Sequence, residues 1–439
     1  MKRAGTVCFA LACLLLCLVL SLGTVCFGPA GAGANERLSP LPKLSVKGEV
    51  NRAYLSQLSA WFGDHFFLRQ ECITLRNRLA ALTGASPVGD VVLGARDWLY
   101  YAPTLTDYTG AEPMTEAELS ACARNLELMA EYCGEKGIAF LFVPVPNKNT
   151  LYPEHMRGYA PGGQHDAERL LARLEHVPHA DLFTLFREQE EVLYYAHDSH
   201  WTARGAALGA DAINAALGRE SAYFAQDFPA QARHQGDLYE MLFPAGTDPE
   251  QGPVYGGALR YTREGTDTRP DSITINTAGE GSGVLLAYRD SFGNDLYPYL
   301  ADSFASAHFS RSTVYDLTLA ESLGADALVA ELVERNLRYL LTYAPKMPAP
   351  RRELAAPAAS LPAADLAAGK PGELKGCRRI TGSLDTEAER VYLVCPGGIF
   401  EAFLLEGGFA AWLPEKETPE QVLFLRGGEL LAAPASLAE

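Results

Sequence analysis

Leu285-Leu286-Ala287-Tyr288-Arg289-Asp290-Ser291-Phe292-Gly293-Asn294 is the stretch whose reading decides the fold. An all-apolar strand over Gly283 to Tyr288 runs into Asp290-Ser291, and the following pattern predicts a helix over Asp295 to Phe304. A serine on such a strand-to-helix turn exposes its hydroxyl where backbone N–H groups can stabilise an oxyanion. Taken alone, Ser291 reads equally well as the N-cap of that helix.

Working outward, the same alternation recurs on both sides. A helix over Glu116 to Lys136, capped by Thr115, feeds the apolar strand Ile138 to Val143. Val192 to Tyr195 is strand-like, and Ala203 to Leu217 is an Ala-rich helix. Asp326 to Arg335 reads as a helix with Glu331 and Glu334 on a solvated side, and Tyr339 to Tyr343 as a strand. Apolar strands alternating with helices predict an α/β domain whose parallel sheet is covered on both faces. Upstream, Asn51 to Leu82 has helical spacing, and two short strands flank a turn at Asp90 to Gly94 and Trp98 to Tyr101. Residues 346–372 are rich in Pro and Ala and read as a linker. Residues 373–439 show strands separated by Gly-containing turns, a small β-rich appendage to a main domain over 50–345.

A second chemical segment, Tyr194-Tyr195-Ala196-His197-Asp198-Ser199-His200-Trp201-Thr202, lies between the strand-like run and the Ala-rich helix. At Asp-x-His spacing one turn can present both side chains, so Asp198 can fix the tautomer of His200 and stabilise its imidazolium. The bland readings are that Asp198 caps the next helix and that His200 is a satisfied core histidine.

The composition sets the class and the compartment. With 48% hydrophobic and 21% charged residues over 439 positions, the chain is an ordinary folded protein. Its formal charge of -17, with no basic run, argues against nucleic acid as a partner. Lys2 and Arg3 precede an uncharged apolar stretch from Ala4 to Phe27, followed by Ala32-Gly33-Ala34. Residues 1–34 therefore read as a cleaved signal peptide or as an N-terminal membrane anchor, and either places the rest outside the cytoplasm. Outside that segment stand Cys72, Cys122, Cys133, Cys377 and Cys395. The odd count leaves one unpaired, and a bridge between Cys377 and Cys395 is open. No CxxC or His-rich cluster is present, so neither a metal nor another cofactor is expected.

Together, the motifs resemble the DHHW and alginate O-acetylation-protein (AlgX/AlgJ-like) branch of the SGNH hydrolase superfamily. The matching stretches, in order, are Trp98-Leu99-Tyr100-Tyr101; Val143-Pro144-Val145-Pro146-Asn147-Lys148 with Tyr152-Pro153-Glu154; Asp198-Ser199-His200-Trp201-Thr202; and Asp290-Ser291-Phe292. Ser199 departs from the family's second histidine. The resemblance implies a three-layer α/β fold with Ser291 as nucleophile, His200 as base and Asp198 as its orienting group. Asn147, after an apolar strand, is a candidate oxyanion donor. Trp201 reads as a sugar-stacking ring or as a buried aromatic behind His200, and Tyr194 as lining or supporting the site. Arg311 reads as binding a sugar carboxylate or as standing in a surface or ion-pair role, while Gly236-Asp237-Leu238 resembles a further family block of unassigned role. The function implied is O-acetyl transfer to, or removal from, an extracellular polysaccharide, with a membrane-bound O-acyltransferase as the partner that supplies acyl groups. The alternative is a non-catalytic polysaccharide-binding or assembly protein of the cell envelope.

Overall fold

The computed structural model describes residues 2–31, 37–84, 86–354, 359–370, 372–383 and 388–438; the Ala32-Gly33-Ala34 cleavage pattern lies outside them. The apolar N-terminal stretch is one helix, α1 (Lys2–Phe27), of which Gly5–Phe27 has a mean hydropathy of 2.6. At about 1.5 Å per residue it is long enough for the ~30 Å hydrocarbon core of a bilayer. The helical spacing over 51–82 resolves into α2 (Tyr54–His65) and α3 (Arg69–Ala81), broken where Leu68 takes a left-handed backbone. A small hairpin follows, β1 (Val91–Leu93) with β2 (Leu99–Tyr101), and then the single-turn helix α4 (Leu105–Thr109). Helix α5 (Glu116–Glu135) starts in a capping box between Thr115 and Glu118.

The central sheet is built on β3 (Ala139–Val145), which is followed by α6 (Asp166–Leu171) and α7 (Ala203–Ala216). Next come the hairpin β4 (Ala230–His234) with β5 (Glu250–Val254), then β6 (Tyr261–Arg263), β7 (Thr274–Gly279) and β8 (Val284–Tyr288). Helix α8 (Gly293–Ser303), β9 (Ser306–Ser310), β10 (Ala327–Val333) and the short α9 (Tyr339–Thr342) complete the domain. The sheet order is β3-β10-β8-β9-β7-β6. The first four strands are parallel, but β7 pairs antiparallel with both β9 and β6, so the sheet is mixed and not wholly parallel as expected.

Alternate side chains along each strand enter different cores. On one face Phe140, Phe142, Leu286 and Leu328 pack with Leu119, Leu126 and Met129 of α5. On the other, Leu141, Val143, Leu285 and Val329 pack with Ala206, Ala210 and Ile213 of α7 and with Leu296 and Leu300 of α8.

Three local expectations are corrected. Residues 327–333, expected to be helical, form the interior strand β10, between β3 and β8 and buried along its whole length. The acidic residues that suggested a solvated helix face are themselves buried, Glu331 at 1% and Glu334 at 3% exposure. Tyr339–Thr342 is a turn of helix, and Val192–Tyr195 contributes only an isolated bridge between Tyr194 and Trp201.

At the C-terminus, β11 (Ala364–Ala368), β12 (Cys377–Ser383), β13 (Arg390–Cys395), β14 (Gly398–Leu405), β15 (Gly408–Pro414), β16 (Gln421–Arg426) and β17 (Glu429–Ala438) pair in a closed ring. Ile380, Val391, Leu393, Phe400, Ala411 and Val422 fill this barrel. Strand β11 and the pair Arg351–Arg352 lie within the stretch expected to be a linker, yet both are hydrogen-bonded into the barrel. Cys377 and Cys395 are both free thiols on different barrel strands, so the open bridge is not formed.

The barrel is joined to α5 by polar contacts. The fully buried Asn125 amide donates to the carbonyls of Leu340 and Leu404 (2.9 and 2.7 Å) and accepts from the Leu404 N–H (3.0 Å). Arg124 forks onto the buried Glu401 carboxylate at 2.8 and 2.7 Å.

Candidate active site

The carboxyl ends of β3, β8 and β10 lie side by side, the place where open α/β sheets gather functional groups. Strand β10 holds its two neighbours' turns in register. Glu331 Oε2 accepts the Asp290 N–H (2.8 Å), while Asp290 Oδ2 accepts the Val333 N–H (2.8 Å). One turn further, Glu334 Oε2 accepts the Asn147 N–H (2.8 Å) and the Thr150 hydroxyl (2.6 Å). Burial raises both glutamates well above the usual carboxyl range.

Ser291 follows β8 at the start of α8, in a turn closed by the Phe292 N–H bonding Asp290 Oδ1 (2.9 Å). Its Oγ lies 2.8 Å from His200 Nε2, and His200 Nδ1 lies 2.7 Å from Asp198 Oδ1. Asp198 also accepts the His200 N–H through Oδ1 (2.9 Å). Its Oδ2 receives the Asp237 N–H (3.0 Å) and contacts His234 Nε2 (2.8 Å). Burial pushes Asp198 upward, but these histidine and amide contacts outweigh it and hold the carboxyl well below its ordinary value. Burial likewise pulls His200 down, and the Asp198 bond and charge more than offset this, leaving it raised.

The loop carrying Asp198 is braced from behind by Lys148. Its buried Nζ donates to the carbonyls of Tyr195 (3.0 Å), Ala196 (3.0 Å) and Asp198 (2.6 Å). It also sits 5.4 and 5.2 Å from the ring centres of Trp98 and Tyr100. Burial draws this lysine down to about 7, with the charges of Asp198, Asp237 and Glu250 opposing. On the other side, Asp237 binds Ser199 through its N–H (2.8 Å) and hydroxyl (2.7 Å). Gly236 permits that approach, since a Cβ there would meet the His197 carbonyl oxygen at 2.2 Å. Glu250, on β5, accepts the Ala196 and His197 N–H groups at 2.7 and 2.6 Å.

The remaining sequence candidates take different places. Asn147 is 1% exposed, and its Oδ1 accepts from Arg335 (3.4 Å), whose guanidinium lies 5.5 Å from the Phe292 ring. Its Nδ2 has no hydrogen-bond partner. Trp201 is fully buried against Phe186 and Phe292, and its indole N–H donates to the Phe292 carbonyl at 3.2 Å. It therefore packs behind His200 and offers no ring face to a sugar. Tyr194 is buried too, its hydroxyl donating to the Pro146 carbonyl at 2.7 Å. Arg311 lines a cavity of about 210 Å³ together with Arg289, Ser291, Thr313 and Tyr339. A larger groove of about 980 Å³ includes His197, Trp98 and Tyr159 but none of Ser291, His200 and Asp198. Of the two, the smaller cavity is the one that includes Ser291.

Sequence reasoning missed His234, Glu250 and the bracing role of Lys148. Lys148 had a signal, a lone cation directly after a buried strand; His234 had none, because it approaches from a separate hairpin.

Residues 91–271 match the family described as "SGNH hydrolase-like domain, acetyltransferase AlgX". The chain is 24% identical over 254 residues to the probable alginate O-acetylase AlgJ of Pseudomonas aeruginosa, covering 54% of this chain and 60% of that protein. It is 26% identical over 218 residues to the probable alginate O-acetylase AlgJ of Pseudomonas syringae pv. tomato, covering 46% of this chain and 51% of the relative. The match thus spans less than two thirds of either relative. A DHHW family protein from Eubacterium siraeum has a solved structure that matches 56% of this chain and 94% of its own, with 17% identity and a TM-score of 0.42. Over residues 91–271 the chain is thus similar to the SGNH hydrolase-like domain of AlgX, and over about half of its length to the two AlgJ proteins.

Proposed function

We propose that this chain is an extracytoplasmic serine-dependent O-acetyltransferase or acetylesterase acting on a polysaccharide. The observation that carries the reading is the continuous relay Ser291 Oγ, His200 Nε2, His200 Nδ1, Asp198 Oδ1, with steps of 2.8 and 2.7 Å across the ring. His200 takes the Ser291 proton as Oγ attacks an acetyl ester carbonyl, and Asp198 stabilises the resulting imidazolium. The tetrahedral oxyanion is met by backbone N–H groups of the Ser291 turn and by the unpaired Nδ2 of Asn147. The imidazolium returns its proton to the departing alcohol, leaving acetyl-Ser291. A second hydroxyl, deprotonated by His200, then attacks that ester; a sugar hydroxyl gives transfer and water gives hydrolysis.

The polysaccharide follows from the alginate O-acetylase names of the relatives, and extracytoplasmic placement from the apolar α1. A membrane-bound O-acyltransferase is the proposed acyl supplier.

The test is turnover of 4-nitrophenyl acetate by the full chain, with intact-mass detection of acetyl-Ser291. Wild type acquires the adduct and Ser291→Ala does not. Folded wild type that neither turns over nor acylates, while binding glycan as well as Ser291→Ala does, would leave the non-catalytic polysaccharide-binding reading in its place.

A further inference from the structure

Asp107 on α4, His165 just before α6 and Glu334 just after β10 meet at a point distinct from the Ser291 relay. His165 Nδ1 lies 3.4 Å from Asp107 Oδ2 and 3.5 Å from Glu334 Oε1. Both separations exceed the 2.7–3.2 Å of a good N–H···O bond, so the imidazole is well bonded to neither carboxylate. Glu334 Oε1 accepts no N–H or O–H from an ordinary donor, although its side chain is wholly buried, and the group it meets there is the carboxyl of Asp107. Two facing carboxyls at such depth are unfavourable as anions unless a proton or a cation lies between them.

The spacing says what fits there. Ligand atoms about 2.1 Å from a tetrahedral ion sit about 3.4 Å apart, whereas neighbours around an octahedral ion sit about 3.0 Å apart. Two carboxylate oxygens and one imidazole nitrogen are a donor set for a borderline divalent cation. The ligands stand on three separate elements of the fold, and Glu334 Oε2 is fixed by the Asn147 N–H and Thr150 hydroxyl. The Asp107 and His165 side chains keep 16% and 12% of their surface exposed, giving an ion a route from solvent.

We propose that Asp107, His165 and Glu334 form a four-coordinate divalent-cation site of the Zn²⁺ class, with water as the fourth ligand. The site ties α4 and the loop before α6 to the end of β10. Its bound ion anchors the carboxylate that holds the Asn147 turn.

The test measures metal and does not depend on turnover. Full-length protein stripped with chelator is titrated with Zn²⁺, and with Co²⁺ as a spectroscopic stand-in. Wild type takes up one equivalent and shows the strong visible bands of four-coordinate Co²⁺. His165→Ala, whose side chain is partly exposed, and Glu334→Gln each weaken binding by at least about 100-fold, beyond the 10–100-fold that outer-shell groups carry. Ser291→Ala binds as wild type does. Circular dichroism verifies that each variant is folded, and if Glu334→Gln does not fold, His165→Ala alone decides. The proposal is overturned if folded wild type takes up no stoichiometric metal, or if uptake survives His165→Ala. It is also overturned if uptake is lost in His200→Ala and retained in His165→Ala, which assigns the ion to Asp198, His200 and Asp237.

Discussion

Asp198–His200 and Glu334–His165 are built from the same two side-chain types, one buried carboxylate facing one imidazole, yet they are finished in opposite ways. Asp198 has both oxygens occupied, by a catalytic-type imidazole, a second histidine and two backbone N–H groups. Its partner His200 points its other nitrogen at a serine hydroxyl 2.8 Å away. Glu334 has one oxygen held by ordinary donors while its carboxyl also faces that of Asp107, and His165 sits beside both at distances too long to satisfy either. A carboxylate satisfied by donors fixes a proton-transfer geometry; one that faces a second carboxyl calls for a shared proton or a cation.

The largest test of that contrast is Asp198→Asn, which keeps the shape but reverses what the carboxylate does for the imidazole. Turnover of an acetyl ester is expected to fall about 10⁴-fold, as loss of the correct tautomer does in comparable relays. Zn²⁺ uptake at the other centre should not change; loss of both together would show that the two centres are not separable.

Lys148→Met comes next. The substitution relieves the burial of a charge but leaves three carbonyls without a donor, each worth about 1–3 kcal/mol. A net loss of about 2–4 kcal/mol in chemical denaturation is expected, with a fall in kcat and little change in KM, because the Asp198 loop loses its brace. Unchanged stability would mean that water replaces the ammonium without consequence. His234→Ala removes one of two imidazoles on Asp198 and should lower kcat/KM by about tenfold, the scale of one hydrogen bond to a charged group. An effect as large as that of Asp198→Asn would promote His234 from support to a full member of the relay.

The smallest expected effect is on the pH profile. As the proposed base His200 must be neutral, and its pKa in the folded chain is raised, so kcat/KM should climb through a value above the ordinary ~6.5 of imidazole. The same shift makes the imidazolium–Asp198 pair stabilising at low pH. That contribution is full below about 6.5 and is lost as pH rises through the folded pKa. Activity and this part of stability therefore run in opposite directions across one window. His200→Gln should narrow that window in denaturation experiments to the part due to His234, where burial lowers the imidazole and the Asp198 bond more than offsets it.

What the sequence disclosed depended on distance along the chain. Asp198 and His200 share a turn, and Ser291 directly follows an apolar strand, so local pattern was enough to nominate all three. Strand β10 was misread because Glu331 and Glu334, three residues apart, imitate the wet side of a helix. In the fold they are buried and bind the Asp290 and Asn147 amides, a fact that exists only once three strands are side by side. His234, Asp107 and His165 come from separate elements, and no spacing rule connects them. Trp201 was legible as an aromatic beside His200, but whether it faced sugar or core depended on Phe186 and Phe292, which pack from elsewhere.

The hydrogen bond from Ser291 to His200 joins residues 91 positions apart, on turns that meet only after the parallel strands have paired. Long-range pairing of this kind is among the slowest events in folding. The proposed ester turnover is therefore a late reporter: during refolding it should reappear after the helical signal has already recovered. Until then the serine is an ordinary hydroxyl, so a chain part-way through folding cannot acylate itself or its neighbours.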